Sequence, residues 1–398
     1  MTSIKMTLHA LTPAEEINLR IARLQNAIRT CGMDAVLISD NANIYYTSGR
    51  VFSGYVYIPA TGTATYFIRR PEGITDDKVQ YIRKPEQIAG LLSEAGVGLP
   101  AVMGYELSSL DVISYRRLVN AFPGVTPVDA SPIIKSVRSV KTDFELEQLR
   151  RSGIRHQHVY DLIPRLYREG MTDIELQIEI ERASRLEGCL GIFRIAGDSM
   201  EFFMSNILAG DNADSPTPYD FAMGGAGLDP SLPVGADGTV ITPGMSVMVD
   251  SNGNFTGYMT DMTRVFSCGK LDDKAMEAHQ CSIEICRALE KAGKPGTPAA
   301  ELYELAVSIV ERHGLERYFM GHKQKAGFIG HGVGIEINEL PVIAPRSRDI
   351  LAEHNVIALE PKFVIPHVGA VGVENTYIVT SGGLERITDA PEQIIDLI

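Results

Sequence analysis

The sequence predicts a protein of the α+β class with two domains, residues 1–138 and 139–398. Strands interleaved with helices between residues 12 and 122 predict that the first of these is an α/β domain. In the second, a pair of helices followed by a β-hairpin occurs twice, which predicts an internally duplicated domain built on antiparallel sheet. A length of 398 residues also favours about two domains.

Capping signals and alternation of apolar residues predict the elements of the N-terminal domain. Thr12-Pro13-Ala14-Glu15 predicts a helix that begins with Thr12 as its N-cap and runs to Gly32. The other predicted elements are strands at 35–39, 54–58, 64–68 and 101–105, and helices at about 85–95 and 110–122. The basic stretch 135–141 is interpreted as a linker. Because this domain shows no catalytic constellation, we interpret it as a lid or a dimerisation module.

The C-terminal domain begins with two capping boxes. Thr142–Glu145 and Thr172–Glu175 predict helices that end at Gly170 and Gly188. The next predicted elements are strands at 190–196 and 202–208, a Gly/Pro-rich loop at 210–238, and helices at about 274–292 and 298–313. So long a loop inside a compact domain is commonly functional, so it is a candidate pocket wall.

The first hairpin of this domain carries two aspartates. A turn at Asn254–Gly257 places Asp250 directly opposite Asp261, with their Cβ atoms roughly 5 Å apart. Like charges placed in this way repel each other unless a cation lies between them. Two alternatives are open: a turn at Asn252-Gly253, which would pair Asp250 with Phe255, and a surface hairpin that carries two solvated aspartates.

The second hairpin repeats the arrangement. Strands at 355–363 and 370–380 flank a turn centred on His367, which places Glu360 directly opposite Glu374. Between the two hairpins, the Gly-rich segment 328–334 contains His331, and its glycines are expected to allow close approach to a ligand or substrate.

These segments supply four carboxylates and one imidazole: Asp250, Asp261, His331, Glu360 and Glu374. Hard oxygen ligands without thiolates favour manganese, iron(II) or cobalt over a structural zinc. Because carboxylates can bridge, the set suits two divalent ions roughly 3.5–4 Å apart, which would generate a hydroxide and polarise a scissile carbonyl. The predicted cofactor is therefore a pair of divalent ions, manganese first, with cobalt, iron or zinc as alternatives.

Charge and cysteine usage exclude several other classes. A net charge of −13 argues against nucleic-acid binding and against an anionic membrane surface as partner. The five cysteines show no CxxC spacing, which is typical of reduced thiols. Without a long apolar segment near Met1, the predicted location is cytoplasmic.

The arrangement resembles the pita-bread metallopeptidase family, which includes methionine aminopeptidase, prolidase, aminopeptidase P and the metal-free relative creatinase. Six short motifs carry the resemblance: Val249-Asp250, Gly257-Tyr258, Asp261–Phe266, Gly330–Gly334, Leu359–Pro361 and Val373–Asn375. It covers about residues 140–398, and the N-terminal domain resembles the creatinase/prolidase N-terminal domain. The resemblance implies that the five residues named above are the metal ligands. It also implies that Glu360 and His331 are catalytic, with Glu360 moving the proton of the bridging water, and that the protein is a homodimer.

The chain departs from the family pattern at three positions. Asn338 stands where the peptidases carry a second histidine, no histidine lies near Thr217 where a substrate histidine is expected, and Gly372 replaces a common arginine. Asn338 and Glu339 are the predicted substrate contacts, with Glu339 either binding a substrate ammonium or facing solvent.

Three other charged or titratable residues are interpreted as non-catalytic. His322 and His367 are expected to play no part in the chemistry, because a lone histidine in a turn is usually solvated. Arg264 is interpreted as a partner of a nearby carboxylate in a structural ion pair.

The leading hypothesis is dimetal hydrolysis of short peptides at proline, of the Xaa-Pro dipeptidase or aminopeptidase type. The missing histidines motivate an alternative, a metal-dependent hydrolase or lyase that acts on a non-peptide small molecule. A third hypothesis keeps the fold as a binding module without catalysis.

Overall fold

The computed structural model describes residues 12–197 and 203–398, and the chain divides into two compact units between Arg138 and Ser139. No helix in these described ranges is both long and apolar enough to cross a membrane. All five cysteines are unbonded, and four of them are buried.

The N-terminal unit is a six-stranded mixed sheet with helices packed on it. The sheet order is β4-β3-β2-β1-β5-β6, with β1–β2–β3 antiparallel and the other neighbours parallel. Its strands are β1 Ala35–Ile38, β2 Ser53–Pro59, β3 Thr65–Arg70, β4 Val79–Tyr81, β5 Val102–Tyr105 and β6 Thr126–Asp129. Its helices are α1 Ala14–Thr30, α2 Asn41–Ser48, α3 Ile88–Glu94, α4 Val112–Ala121 and α5 Ser131–Ser139. The predicted α/β character of this domain is confirmed.

Two details of this unit differ from prediction. The N-cap of α1 is Pro13, and no side chain of the residues that the structure describes caps this helix, so Thr12 does not play the predicted role. The stretch 135–141, which was interpreted as a linker, lies mainly within α5. This helix packs one face inward, since Ile134 and Arg138, one helical turn apart, are both buried. Arg138 Nη1 also donates to Asn43 Oδ1 at 2.8 Å, which holds the end of α5 against its own unit.

The C-terminal unit contains the predicted duplication. Its helices are α6 Asp143–Leu166, α7 Asp173–Glu187, α8 Asp273–Ala292 and α9 Ala299–His313. Its strands are β7 Ser205–Ala209, β8 Ser246–Asn254, β9 Met259–Ser267, β10 Gly330–Gly332, β11 Glu339–Ile343, β12 Val356–Leu359, β13 Lys362–Ile365, β14 Gly369–Gly372, β15 Asn375–Thr380, β16 Gly383–Arg386 and β17 Ile395–Asp396. A four-stranded sheet β17-β9-β8-β7 follows the first helix pair, and a five-stranded sheet β11-β10-β12-β15-β16 follows the second.

The helices of this unit begin where the capping boxes predict. The hydroxyls of Thr142 and Thr172 accept the backbone N–H groups of Glu145 and Glu175, and each glutamate side chain accepts the N–H of its threonine. Gly188 ends α7 in the left-handed conformation, as predicted.

The predicted strand at 190–196 does not form. The backbone groups of this segment form single bonds rather than a strand ladder: Leu190 N–H donates to Asn254 O at the end of β8, and Arg194 O accepts from Ile337 N–H in a loop. The strand predicted at 202–208 is observed as β7, Ser205–Ala209, whereas Phe202 lies outside the described residues.

Candidate metal centre

The first hairpin forms with a register that differs from the predicted one. Asp250 lies opposite Thr263, and Asp261 lies opposite Asn252, so the two aspartates are diagonal neighbours rather than a direct pair. The reason is that Asn254 pairs with Met259 as the last residue of β8, which moves the loop one residue further along the chain. The shift of two residues preserves the side-chain alternation, so both aspartates stay on one face.

The second hairpin has the predicted register. Leu359 pairs with Asn375 and Lys362 pairs with Gly372, and both pairs are centred on position 367. Glu360 and Glu374 lie between these two pairs, where each arm leaves the five-stranded sheet for the two-stranded ribbon β13–β14. The strands are therefore interrupted at the two residues predicted to face each other.

Direct bonds between β9 and the second hairpin bring the two halves of the site together. Thr263 and Glu374 form an isolated bridge, in which Glu374 N–H donates to Thr263 O at 3.2 Å. The Thr263 hydroxyl also donates to Glu374 Oε2 at 2.7 Å. Thr376 Oγ1 accepts from Asp261 N–H and donates to Asp261 O, both at 2.8 Å. These contacts fix the distance between Asp261 and Glu374.

All five predicted side chains meet, in two overlapping groups of three. Asp261, His331 and Glu374 offer ligand atoms within 4.8 Å of one another, and so do Asp250, Glu360 and Glu374. Glu374 is common to both groups. The structure thus brings the five predicted ligands together.

His331 presents one ring nitrogen to this cluster. Its Nδ1 lies 3.1 Å from Gly332 O, and because a carbonyl only accepts, Nδ1 carries the proton of the neutral ring. Nε2 then directs its lone pair towards Asp261 at 3.8 Å and Glu360 at 3.6 Å. Acceptors that face one another without a donor are what a bound cation requires.

The glycines beside His331 serve the sheet rather than a ligand. A Cβ on Gly330 would lie 2.4 Å from Ala358 O, and one on Gly332 would lie 2.1 Å from Leu340 O. These glycines therefore allow the backbone of β10 to approach its neighbouring strands β12 and β11, rather than a ligand or substrate as expected.

A lysine that is not among the predicted site residues lies in one of the two groups. Lys362 Nζ donates to Asp250 Oδ2 at 2.8 Å, to Glu360 Oε2 at 2.7 Å and to Glu374 Oε2 at 3.1 Å. Its side chain is 0% exposed. The signal that would have found it is the strand alternation, since residues 360 and 362 lie on the same face of an extended segment.

Burial and mutual repulsion set the electrostatics. Burial raises the pKa of Asp261 well above its ordinary value, and Glu374, Asp250 and Glu360 raise it further. Burial also raises the pKa of Asp250 and that of Glu374, although Lys362 acts in the opposite direction on both. Burial lowers the pKa of Lys362, but the surrounding carboxylates outweigh that effect and raise this pKa well above its ordinary value. The cluster therefore favours a cation beside Asp261.

The two groups differ in their fit to a metal ion. One oxygen each of Asp250, Glu360 and Glu374 already accepts a hydrogen bond from the Lys362 ammonium, so an ion held by these three oxygens does not fit while Lys362 is in place. The group of Asp261, His331 and Glu374 does fit one. Glu374 Oε1 is buried with no hydrogen-bond partner among the described residues, which leaves an acceptor available for a cation.

The cluster forms the floor of a cavity of about 280 Å³. Its walls are mostly apolar and include Phe193, Ile195, Phe221, Met223, Phe328 and Ile337. Residues 220–223 belong to the loop predicted as a pocket wall, and that prediction is confirmed. Asn252 also lines the cavity, and its Oδ1 is a buried acceptor without a partner in the described part of the chain. A pocket of this size suits a small substrate with apolar groups.

The two predicted substrate contacts line the cavity but have structural bonds. Asn338 Oδ1 accepts from Ala196 N–H at 2.8 Å, and its Nδ2 donates to Ala196 O at 2.6 Å. Glu339 Oε2 forms a buried ion pair with Lys141 Nζ at 3.0 Å, so its charge is already neutralised and it does not face solvent. The Thr217 hydroxyl donates to Pro233 O at 2.9 Å.

The three residues interpreted as non-catalytic lie outside the cavity lining. His322 and His367 bond to Asp214 and Asp211 at 3.0 and 3.2 Å. Arg264 is buried and makes five hydrogen bonds, to three backbone carbonyls and to Asn375 Oδ1, in place of the expected contact with a carboxylate. Its role is structural, because it ties β9 to the segment after Glu374.

Comparison with known proteins covers nearly the whole chain. Residues 147–381 match Metallopeptidase family M24, and residues 20–140 match the Creatinase/Prolidase N-terminal domain. Two relatives are the Xaa-Pro dipeptidases of Pyrococcus horikoshii and Pyrococcus furiosus. The first is 24% identical over 95% of this chain and 99% of its own length, and the second is 26% identical over 94% and 99%.

Solved structures agree on the fold. The Xaa-Pro dipeptidase from Bacillus anthracis superposes with a TM-score of 0.79 at 24% identity, over 96% of this chain and 99% of its own. The X-Pro aminopeptidase from Thermotoga maritima gives a TM-score of 0.76 at 22% identity, over 93% and 99%. With more than half of its residues in the matched region and a creatinase/prolidase domain in front, the chain belongs to metallopeptidase family M24.

Proposed function

We propose that this chain hydrolyses short peptides at the N-terminal side of proline, as an Xaa-Pro dipeptidase or aminopeptidase. The observation that carries the proposal is the convergence of four carboxylates and one imidazole on the floor of a small cavity, in a chain of family M24. Relatives that cover about 95% of the chain are named Xaa-Pro dipeptidases, which supports the substrate class. A cytoplasmic location and a homodimer stay predictions from the sequence.

The roles of the side chains follow from their contacts. Asp261, His331 and Glu374 would hold a divalent ion, with manganese as the first candidate. When bound, such an ion activates a water molecule for attack on a carbonyl. Glu360 has one oxygen held by Lys362 and the other 3.6 Å from His331 Nε2. We expect that second oxygen to take the proton of the attacking water and to pass it to the leaving nitrogen.

Substrate orientation would come from the cavity wall. Asn252 Oδ1, which has no hydrogen-bond partner in the described ranges, is an acceptor suited to the free amino group of a short peptide. The apolar walls would bury the pyrrolidine ring and exclude water from the reacting carbonyl.

The test is turnover of a panel of Xaa-Pro dipeptides and tripeptides by the purified chain, before and after removal and return of Mn²⁺. The expected result is metal-dependent cleavage before proline that falls at least ~100-fold in Asp261→Asn. Asp273→Asn is the matched control, because its side chain is 98% exposed. An absence of cleavage across the panel in a metal-loaded, folded protein would refute the proposal.

A second candidate is a hydrolase or lyase reaction on a non-peptide small molecule at the same centre. This candidate is favoured by the two positions at which the resemblance expects histidines. Asn338 and Thr217 stand there instead, and both side chains form hydrogen bonds to loop backbone. A panel of N-acylated and cyclic amides, assayed in parallel, separates the two functions. Turnover of these compounds without turnover of Xaa-Pro peptides would establish the second.

A further inference from the structure

The Lys362 ammonium occupies one of the two cation positions of the site. An ammonium has three N–H donors, and each of them reaches a different carboxylate, at 2.7 to 3.1 Å. The side chain is completely buried, so no donor remains for substrate or water. Because all three donors are matched by acceptors and the side chain is buried, this is a buried ion-pair network rather than a surface ion pair.

A metal ion at the same place would compete with the lysine. An ion bound by Asp250 Oδ2, Glu360 Oε2 and Glu374 Oε2 would lie about 2–2.5 Å from each of them. These are the oxygens that already surround Nζ, so the ion and the ammonium would be two cations at one point. The lysine would have to leave its three partners before this position could accept an ion.

The second position has the opposite character. Asp261, His331 and Glu374 direct oxygens and a ring nitrogen towards one another, and Lys362 reaches only one of these residues. Glu374 Oε1 has no partner among the described residues, although Glu374 is 1% exposed. The negative charge of the four carboxylates exceeds the single positive charge of Lys362. A divalent ion beside Asp261 would offset most of the remaining negative charge.

The strand partner of Lys362 leaves room for its backbone. Lys362 pairs with Gly372, where a Cβ would lie 3.0 Å from Lys362 Cα and 2.8 Å from Pro361 O. The resemblance expects an arginine at 372. This chain instead has a cationic residue, Lys362, on the opposite strand, and the Lys362 ammonium lies among the carboxylates of Asp250, Glu360 and Glu374.

We propose that Lys362 permanently replaces one metal ion, so that this chain binds a single divalent ion, through Asp261, His331 and Glu374. This inference rests on the metal binding of the proposed function but not on the substrate. Lys362 is then a positioning residue, which holds Asp250 and Glu360 through its charge and does not touch substrate.

The test counts ions directly. The full-length chain is stripped with a chelator and titrated with Mn²⁺, and bound ions are counted by calorimetry and by elemental analysis after gel filtration. The expected result is one ion per chain for the wild type. An anomalous difference map of Mn²⁺-soaked crystals is expected to show one peak, between Asp261 and His331. Two ions in the wild type, or none, would overturn the inference.

Variants separate the two positions. Lys362→Ala is expected to bind two ions, whereas Lys141→Ala, which removes another buried lysine, keeps one. Asp261→Asn is expected to weaken Mn²⁺ binding at least tenfold, and Asp250→Asn less than threefold. Equal losses in Asp261→Asn and Asp250→Asn, or a folded Lys362→Ala that still binds one ion, would overturn the inference. If Lys362→Ala does not fold, the wild-type count and the anomalous map still decide.

This outcome is independent of catalysis. Two ions together with Xaa-Pro turnover would refute the single-ion inference and leave the proposed function standing. One ion without peptide turnover would support the inference and refute the peptidase proposal.

Discussion

The stability of the M24 domain is expected to depend on the neutral state of His156. This residue of α6 is 1% exposed and lies against β8, where a Cβ on Gly253 would be 2.6 Å from its Nδ1. Nδ1 is 3.0 Å from Thr260 Oγ1, and Nε2 has no partner among the described residues. Burial, with a smaller contribution from Arg264, lowers the pKa of His156 from 6.5 to about 3. The ring therefore cannot be protonated in the folded state at moderate acidity.

The magnitude follows from linkage between protonation and folding. Between pH 6.5 and 3 the unfolded chain binds a proton at His156 that the folded chain does not, so stability is full above pH 6.5 and falls as the pH falls. Each pH unit in this window costs about 1.4 kcal/mol. Acidification to pH 5 should therefore cost about 2 kcal/mol through this one residue.

The assay is urea unfolding of wild type and His156→Gln at pH 7.5, 6.0 and 5.0, followed by circular dichroism. The free energy of unfolding of His156→Gln should fall by about 2 kcal/mol less than that of the wild type between pH 7.5 and 5.0. His158→Gln is the matched control, because this neighbouring ring is 56% exposed. An identical pH slope in His156→Gln and wild type would show that the reasoning is wrong.

Three further substitutions test the supports of the site. Lys141→Met should cost about 3–5 kcal/mol, because it removes the ammonium that forms a buried ion pair with Glu339, and adding Glu339→Gln should recover part of the loss in a urea double-mutant cycle. Additive effects of the two changes would contradict this. Gly332→Ala should lower the unfolding free energy by about 1–3 kcal/mol and weaken Mn²⁺ binding, because its Cβ would meet Leu340 O at 2.1 Å; unchanged calorimetric values would disprove it. Arg264→Lys should cost about 3 kcal/mol or more, since an ammonium cannot reproduce five hydrogen bonds, and an unaltered denaturation midpoint would refute the structural role.

Features that depend on short stretches of chain were predictable. The capping boxes at Thr142 and Thr172 fix helix starts through bonds three residues apart, and both helices begin where predicted. The hairpin centred on His367 has its predicted register, because a short turn with alternating flanks leaves little freedom. The register around Asn254 was wrong by two residues, because that loop can close in more than one way.

Features that depend on which distant groups lie near each other were not predictable. Residues 190–196 have the alternation of a strand, but their backbone bonds to Asn254 and Ile337, so no ladder forms. Asn338 and Glu339 line the cavity and stay predicted substrate contacts, but their bonds to Ala196 and Lys141 were not predicted from the sequence.

The sequence by itself predicted the family, the two domains and the five candidate metal ligands, since these predictions depend on local motifs and their order in the chain. Only the tertiary structure decided how the five are shared between two positions. It alone placed Lys362 Nζ among three carboxylates that lie 2, 12 and 112 residues away in the chain. The physical reason is that a buried charge pairs with the opposite charges that packing brings within about 3 Å of it. Which residues these are depends on the three-dimensional fold and not on their separation in the sequence.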